Sequence, residues 1–224
     1  AIGLGFATGP LAAGVLVDAS GWRAVFHARV PLALGLFAWA LAVRAAGAGA
    51  SPRLVAARDV LRGAVLGPGA ASFVANASIF AIWLLLPFYL VSARGLSATV
   101  GGALFMLTPL GLAVAAPVAG RLAGAVTPRG LMTAGLALEA AALAALSRAD
   151  TATPLGALAL ALFGAGFGLG LFQVPNMTAV LAAFPAGQQG AAGGFTFLAR
   201  TLGVVTGVMV LAEVFAARRA RAGF

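Results

Sequence analysis

Residues 3–14 of the chain are GLGFATGPLAAG, a stretch with glycine at positions 3, 5, 9 and 14 and proline at position 10. Glycine and proline are the weakest helix formers in water, yet their neighbours here are apolar enough for a membrane span. Gly5 and Gly9 form a GxxxG step, which allows a second helix to approach closely in lipid. Pro10 removes one backbone hydrogen bond and permits a bend. The stretch therefore predicts a membrane helix that is tightly packed, or one that acts as a hinge or a sealed gate.

The composition of the whole chain is that of a membrane protein. Hydrophobic residues make up 62% and charged residues only 8%, with a mean hydropathy of +1.06, whereas soluble domains carry roughly one-quarter charged residues. Apolar stretches of membrane-spanning length predict an all-α polytopic membrane protein with about seven transmembrane helices. The predicted spans are 1–17, 30–43, 70–91, 99–119, 130–146, 154–184 and 190–215.

The net charge of +9 comes from 14 basic residues, all of them arginine. They lie mainly between the apolar spans, where the positive-inside bias and lipid headgroups account for them, so nucleic acid is not expected as a partner. Alternating the loops across the bilayer places six arginines on the side of residues 44–64, four on the other side, and three in the C-terminal tail. Without the tail, the side of residues 44–64 is favoured as cytoplasmic; with the tail, the count does not decide.

The longest polar interruption is residues 44–64, RAAGAGASPRLVAARDVLRGA. It begins rich in glycine and alanine and continues with leucines and valines spaced among arginines, which predicts a linker followed by a short interfacial amphipathic helix. We therefore divide the chain into the last two helices of a first bundle (1–46), a linker with its interfacial helix (47–69), and about five helices of a second bundle (70–224). The first span begins at Ala1 without a flanking charge, so we expect a piece of a longer chain.

Two ionisable residues lie deep inside predicted spans. Glu139 is far from both ends of its span, where an acid costs roughly 2.5–3.5 kcal/mol on insertion scales. It is either a proton-accepting site or a neutral group hydrogen-bonded between helices. Arg200 cannot discard its charge and needs a partner or water. It either reaches the interface, or it is the partner of Glu139 or of an anionic substrate group.

Amide side chains mark a second set of polar positions in the spans. Gln173 and Asn176 are three residues apart and share a helix face, and Pro175 is expected to bend that helix. They are equally consistent with the lining of a polar cavity and with ordinary hydrogen bonding between helices. Asn76 is a weaker example of the same kind. We group Glu139, Arg200 and these amides as candidates for a proton or substrate site.

Enzyme chemistry has little support in the sequence. The single histidine, His27, falls in a predicted short loop without a cluster of carboxylates, and no metal-ligand or nucleophile motif is present. Cysteine is absent, which excludes disulfides, and lysine is absent, which excludes a retinal Schiff base. Asp18 is interpreted as a loop charge. We expect a protein that is not an enzyme and needs no metal or cofactor.

The opening stretch resembles the antiporter motif GxxxGPxxGG in the fifth helix of drug/proton antiporters of the major facilitator superfamily. Gly5, Gly9, Pro10 and Gly14 match the motif, whereas Ala13 replaces one glycine. The following segment, DASGWRAVFHARVP, is similar to the family's short loop between helices five and six. The matching residues there are Trp22, Arg23, Phe26 and Pro31.

The rest of the chain resembles the second half of the same family. Residues 59–90 are similar to the start of the second half, including the end of helix seven. Residues 166–207 are similar to helices ten and eleven of the efflux branch and their connection. Residues 117–131, PVAGRLAGAVTPRGL, are similar to the second copy of the cytoplasmic loop signature GxLaDrxGrr. Gly124 stands where Asp is common, so this loop lacks the charge that caps a neighbouring helix. The loop motif otherwise comprises Gly120, Arg121, Leu122, Ala123 and Arg129.

The resemblance implies a partial major facilitator fold, covering helices five to eleven of a twelve-helix arrangement, with the linker in the cytoplasm. It implies a multi-pass protein of the inner or plasma membrane, monomeric when full length, whose partners are protons, a small-molecule substrate and membrane lipids. The expected activity is proton-coupled export of small drug-like or apolar compounds by alternating access. The alternatives are an uptake or metabolite carrier of the same fold, and a non-transporting scaffold or fragment.

Overall fold

The computed structural model describes residues 2–44, 63–185 and 188–222, and all regular elements in these ranges are helical. Side chains are described there except at 2–8, 10, 43, 44, 216 and 218–222. Six segments of the described chain are long and apolar enough to cross a membrane, and α1 adds an apolar stretch over Leu11–Ser20, which confirms the all-α membrane fold. The helices are α1 (Ile2–Ser20), α2 (Trp22–Arg44), α3 (Gly63–Pro87), α4 (Ala98–Phe105), α5 (Leu107–Leu122), α6 (Pro128–Leu146), α7 (Leu155–Ala182) and α8 (Gln189–Ala222).

The break between α1 and α2 is a single residue, Gly21, with φ of 78°. The loop predicted over 18–29 is therefore wrong, and His27 lies within α2 while Asp18 lies in the last turn of α1. Charged residues lower the hydropathy of this segment, but they are compatible with helical backbone. Gly21 adopts the left-handed conformation that ends one helix and allows the next to start.

The third helix starts earlier than the predicted boundary at residue 70. It begins at Gly63, so residues 63–69 form its first turns, and Val65 within them is fully buried. The rest of the predicted linker with its interfacial helix (47–69) lies outside the described residues. At its other end α3 continues past Pro87 as a π-helical turn, Phe88–Ala93, in which Arg94 N donates to Tyr89 O. Proline has no N–H to donate, and π-helical turns occur mostly as single turns within α-helices.

Helix α7 lies at the centre of the second bundle, in contact with α3, α5, α6 and α8. Glycines allow its backbone to approach its neighbours closely. A Cβ atom at Gly168 would lie 2.6 Å from both Gly135 O and Glu139 N of α6, so neither helix tolerates a side chain there. Phe172, one turn further along α7, is completely buried. This packing fixes the rotation of α7 and therefore the direction of its polar residues.

The helices alternate in direction, which defines two ends of the bundle. The linker side is the end where α2 ends and α3 begins, and the far side is the end of the α1–α2 break and of residues 94–97 and 147–154. Helix α1 contacts α2, α4 and α5, so it joins the first helix pair to the second bundle. The outer face of α2 exposes large apolar side chains such as Phe37 and Trp39, as expected of a surface in lipid.

Candidate functional site

A cavity of about 420 Å³ lies between α3, α7 and α8, and we call it the polar cavity. Six of its eight lining residues carry an amide, hydroxyl or guanidinium group, in a chain with only 8% charged residues. Arg200 is the eleventh residue after the start of α8, which places it about 17 Å along the helix axis from the linker side. The lining residues are Ser72, Gln173, Val174, Asn176, Met177, Thr178, Thr196 and Arg200.

One hydrogen bond across the polar cavity joins α3 to α7. Asn176 Nδ2 donates to Ser72 Oγ over 2.8 Å, and Asn176 is only 1% exposed. Asn76 donates instead to Ser72 O of its own helix over 2.7 Å and is absent from the cavity lining. Asn176 Oδ1 and Gln173 Nε2 are buried and have no hydrogen-bond partner in the described part of the chain. Buried amide atoms of this kind are costly unless a further group binds them.

The candidates Gln173, Asn176 and Arg200 thus share one cavity, and Asn76 sits beside it. Thr196 Oγ1 donates to Ala192 O of α8 over 3.0 Å, so its lone pairs remain free to accept. The sequence analysis did not single out Ser72 or Thr196. Both precede a candidate by four residues on the same helix, a spacing that places side chains on one face. Whether these residues bind a proton or a substrate stays a prediction.

Glu139 lies elsewhere, in the joint between α6 and α7. It is 2% exposed, on the same face of α6 as Leu131 and Gly135, and it does not line the polar cavity. Neither carboxyl oxygen has a hydrogen-bond partner in the described residues. The predicted pairing of Glu139 with Arg200 is therefore not formed. The sequence could place each residue at depth but could not show that they belong to different faces of the bundle.

The antiporter motif of α1 (Gly5, Gly9, Pro10 and Gly14), which we expect to act as a gate, makes its close contact at Gly14 rather than at Gly9. A Cβ at Gly14 would lie 2.5 Å from Ala98 O of α4, whereas nothing in the described chain lies within 4 Å of a Cβ at Gly9. Gly9 is also exposed, so no described contact supports close packing there, and its role in holding two helices together stays a prediction. Gly5 and Pro10 fall within α1, but their own contacts are outside the description.

Asp18 is a functional candidate that the sequence analysis missed, because it was taken for a loop charge. Its carboxylate accepts hydrogen bonds from Ala98 N at 3.1 Å, Thr99 N at 2.7 Å and Thr99 Oγ1 at 2.5 Å. These donors belong to the first turn of α4, where free N–H groups and the helix dipole favour an anion. The sequence signal for a helix start was present in Ser97, which accepts from Val100 N, but nothing pointed to its partner 80 residues away.

The loop motif joins α5 to α6 on the linker side. Gly120, Arg121 and Arg129 are all exposed there, and Thr127 caps α6 by accepting from Gly130 N over 3.1 Å. No hydrogen bond of the Arg121 or Arg129 guanidinium is found among the described residues. The loop keeps its predicted position between two helices.

A second cavity, of about 480 Å³, lies towards the far side between α3, α6, α7 and α8. Its walls are mostly aliphatic, including Ile82, Leu86 and Leu158. Tyr89 lies at its edge and donates its hydroxyl to Asp150 O over 2.5 Å, which ties the end of α3 to the loop before α7. Its apolar walls offer few polar groups to orient a ligand, whereas the polar cavity brings several such groups together.

The helical architecture and the polar cavity at membrane depth define a polytopic membrane protein of the transporter class. The model of the Major Facilitator Superfamily matches residues 1–208, and the chain belongs to that family. In the described part of the chain no group of three or more His, Cys, Asp or Glu residues is placed to hold a metal ion.

Curated proteins similar to this chain are named as transporters or resistance proteins. The riboflavin transporter RibZ of Clostridioides difficile (strain 630) is 32% identical over 136 residues, 61% of this chain and 30% of that protein. A tetracycline resistance determinant of Streptomyces rimosus is 29% identical over 68% of this chain and 44% of its own length. The puromycin resistance protein pur8 of Streptomyces alboniger is 31% identical over 87% and 39%. The chain thus spans less than half the length of these relatives.

Proposed function

We propose that the complete protein is a proton-coupled transporter that exports small drug-like or apolar compounds by alternating access. The observation that carries this proposal is the polar cavity, because its buried amide atoms without partners, Gln173 Nε2 and Asn176 Oδ1, need a ligand or water. The resistance proteins among the relatives and the antiporter motif of α1 favour export. The protein acts as a monomer in the inner or plasma membrane.

Alternating access requires a contact between the two halves that closes one side of the cavity. The contact of α1 with α4 supplies it on the far side, through Gly14 against Ala98 and through Asp18 on the first turn of α4. The polar cavity lies nearer the linker side. In this arrangement the far side is closed, and a substrate enters the polar cavity from the linker side. Opening the far side separates these backbones and breaks three hydrogen bonds of Asp18.

The proton site of the proposal is Glu139. Its carboxyl group is buried between α6 and α7, and its backbone lies against Gly168 of the helix that carries Gln173 and Asn176. Loss of the proton from Glu139 raises the free energy of the arrangement in which α6 and α7 pack closely, because a buried ion without a partner is strongly unfavourable. Movement of α7 then couples the proton to the polar cavity without direct contact.

An uptake or metabolite carrier is the second candidate, favoured by the likeness to a protein named as a riboflavin transporter. Flux in proteoliposomes of the full-length protein separates the two. If the protein exports its substrate in exchange for protons, an imposed proton gradient should drive the substrate against its concentration gradient, and addition of substrate should release protons. The Glu139→Gln variant should lose this gradient-driven step, while an Asp150→Asn variant on an exposed loop keeps it. Substrate flux that does not depend on the proton gradient would contradict proton coupling. Accumulation of the substrate in the opposite direction would favour uptake.

A further inference from the structure

Arg200 has no acidic neighbour on the helices that pack against it. Helix α8 packs on α3 and α7, and neither of these helices contains any charged residue. On α8 itself Glu213 is 13 residues further along, which is about 20 Å along the axis. Glu139 of α6 has no hydrogen-bond partner, so it does not bind the guanidinium. The described part of the second bundle therefore gives Arg200 no counter-charge.

The other free groups around the polar cavity add donors to this positive charge. The guanidinium carries five N–H donors and no acceptor. Gln173 Nε2 is buried without a partner, and Ser72 Oγ already accepts from Asn176, which leaves its own hydrogen to donate. Acceptors are present as Asn176 Oδ1 and the Thr196 hydroxyl, but both are neutral. The described residues around the polar cavity thus combine one fixed positive charge with several donors and no negative group.

We infer that the polar cavity binds compounds with a carboxylate or another oxyanion, and that Arg200 is the residue that selects them. This inference rests on the proposed function, because it names the substrate class of the same cavity. An oxyanion satisfies the planar donor fork of arginine with two parallel hydrogen bonds. It also supplies the counter-charge that a half-buried guanidinium needs at membrane depth. An organic cation of the same size is repelled by Arg200.

The amides set the rest of the selectivity. Gln173 lies on α7, three residues before Asn176, so both face the ligand from the helix opposite Arg200. A ligand that carries carbonyl or hydroxyl groups beside its anion pairs with Gln173 Nε2 and Asn176 Oδ1, whereas a purely apolar ligand leaves them unsatisfied. The inference narrows the substrates to anionic or zwitterionic compounds with further polar groups.

Two xanthene dyes test the inference with matched shape and opposite charge. Fluorescein is anionic and rhodamine 123 is cationic at neutral pH. Fluorescence anisotropy measures binding of each dye to the full-length protein in detergent, for wild type, Arg200→Gln, Arg200→Lys and Arg148→Gln. Arg148 is an exposed arginine of the far-side loop and controls for the change in net charge. Arg200→Lys keeps the charge but loses the two-pronged geometry, and it keeps the test valid if the glutamine variant folds poorly.

Wild type should bind fluorescein more tightly than rhodamine 123. Arg200→Gln should lose roughly 10- to 100-fold in fluorescein affinity, the range for a charge-assisted hydrogen-bonded contact. Arg200→Lys should lose less, and Arg148→Gln should match wild type. A preference of wild type for rhodamine 123, an equal loss for both dyes, or no binding of either dye overturns the inference. If both dyes bind in this pattern but neither is transported in proteoliposomes, the transport proposal is contradicted and the inference about Arg200 stands. If rhodamine 123 is transported and fluorescein is not, the inference is contradicted and the transport proposal stands.

Discussion

A single methyl group at Gly14 should open the far side of the protein. The Cβ of Gly14→Ala would lie 2.5 Å from Ala98 O and 3.1 Å from Thr99 Cα. These are backbone atoms, so no side chain can rotate away, and α1 must retreat from α4 by roughly half an ångström or more. Overpacking of this kind costs about 1–3 kcal/mol. Because the cost falls only on the arrangement in which the two helices touch, it shifts the balance towards far-side opening by about 5- to 150-fold.

The matched control is Gly9→Ala on the same helix. Replacing glycine by alanine inside a helix gains about 1 kcal/mol of helix propensity, but this gain is the same whether the far side is open or closed. A Cβ at Gly9 has no described neighbour within 4 Å. Any difference between the two variants therefore reports the contact at Gly14 and not the helix itself.

Double electron–electron resonance measures the shift directly. Spin labels at Ala19 of α1 and Val100 of α4, both exposed, report the separation of the two helices in the full-length protein. We expect the long-distance population to increase in Gly14→Ala and to stay at the wild-type level in Gly9→Ala. The same distance distribution in all three proteins would refute the reasoning, because the contact would then not restrain the far side.

Three further outcomes follow from the same contacts. Asp18→Asn removes the charge that accepts three hydrogen bonds from α4 and should raise the population with an open far side in the same spin-label assay. Thr99→Val removes only the hydroxyl donor and should give a smaller rise, and a closed far side in both variants would contradict this. Glu139→Gln should fold and bind substrate but lose gradient-driven flux, with Glu139→Asp retaining part of it; wild-type flux across pH in the glutamine variant would make Glu139 a structural residue. Ser72→Ala leaves the buried Asn176 amide without its acceptor and should lower the free energy of unfolding, measured by thermal denaturation, by about 1–3 kcal/mol; unchanged stability would contradict this.

The sequence predicted the membrane class and the helices well because the spans depend on local apolarity. It misplaced the ends of spans where apolarity and helix propensity differ. The segment around His27 is polar but helical, and α3 starts at Gly63, ahead of the weak helix formers Gly67, Pro68 and Gly69. Only the backbone of Gly21 shows where the first helix pair actually breaks.

The site was predictable only in part. Gln173 and Asn176 share a face by their spacing alone, so their common cavity follows from the helix period. The distinction between Gly9 and Gly14, and the separation of Glu139 from Arg200, depend on how whole helices are rotated against each other. Asp18 shows the same limit, since its donors lie on a helix that is distant in the sequence. Pair contacts of this kind leave no periodic pattern in a single chain.

The most direct test of the account is the sidedness of a cysteine placed in the polar cavity. Val174 lines the cavity beside Gln173, and its side chain has no hydrogen-bonding group, so Val174→Cys disturbs the cavity little. In the full-length protein, a membrane-impermeant maleimide should label this cysteine from the linker side at rest and from the far side during proton-driven turnover, and bound substrate should protect it. Ser147→Cys, exposed on the far side, calibrates the reagent. Labelling from one side only under all conditions, without protection by substrate, would contradict alternating access at this cavity.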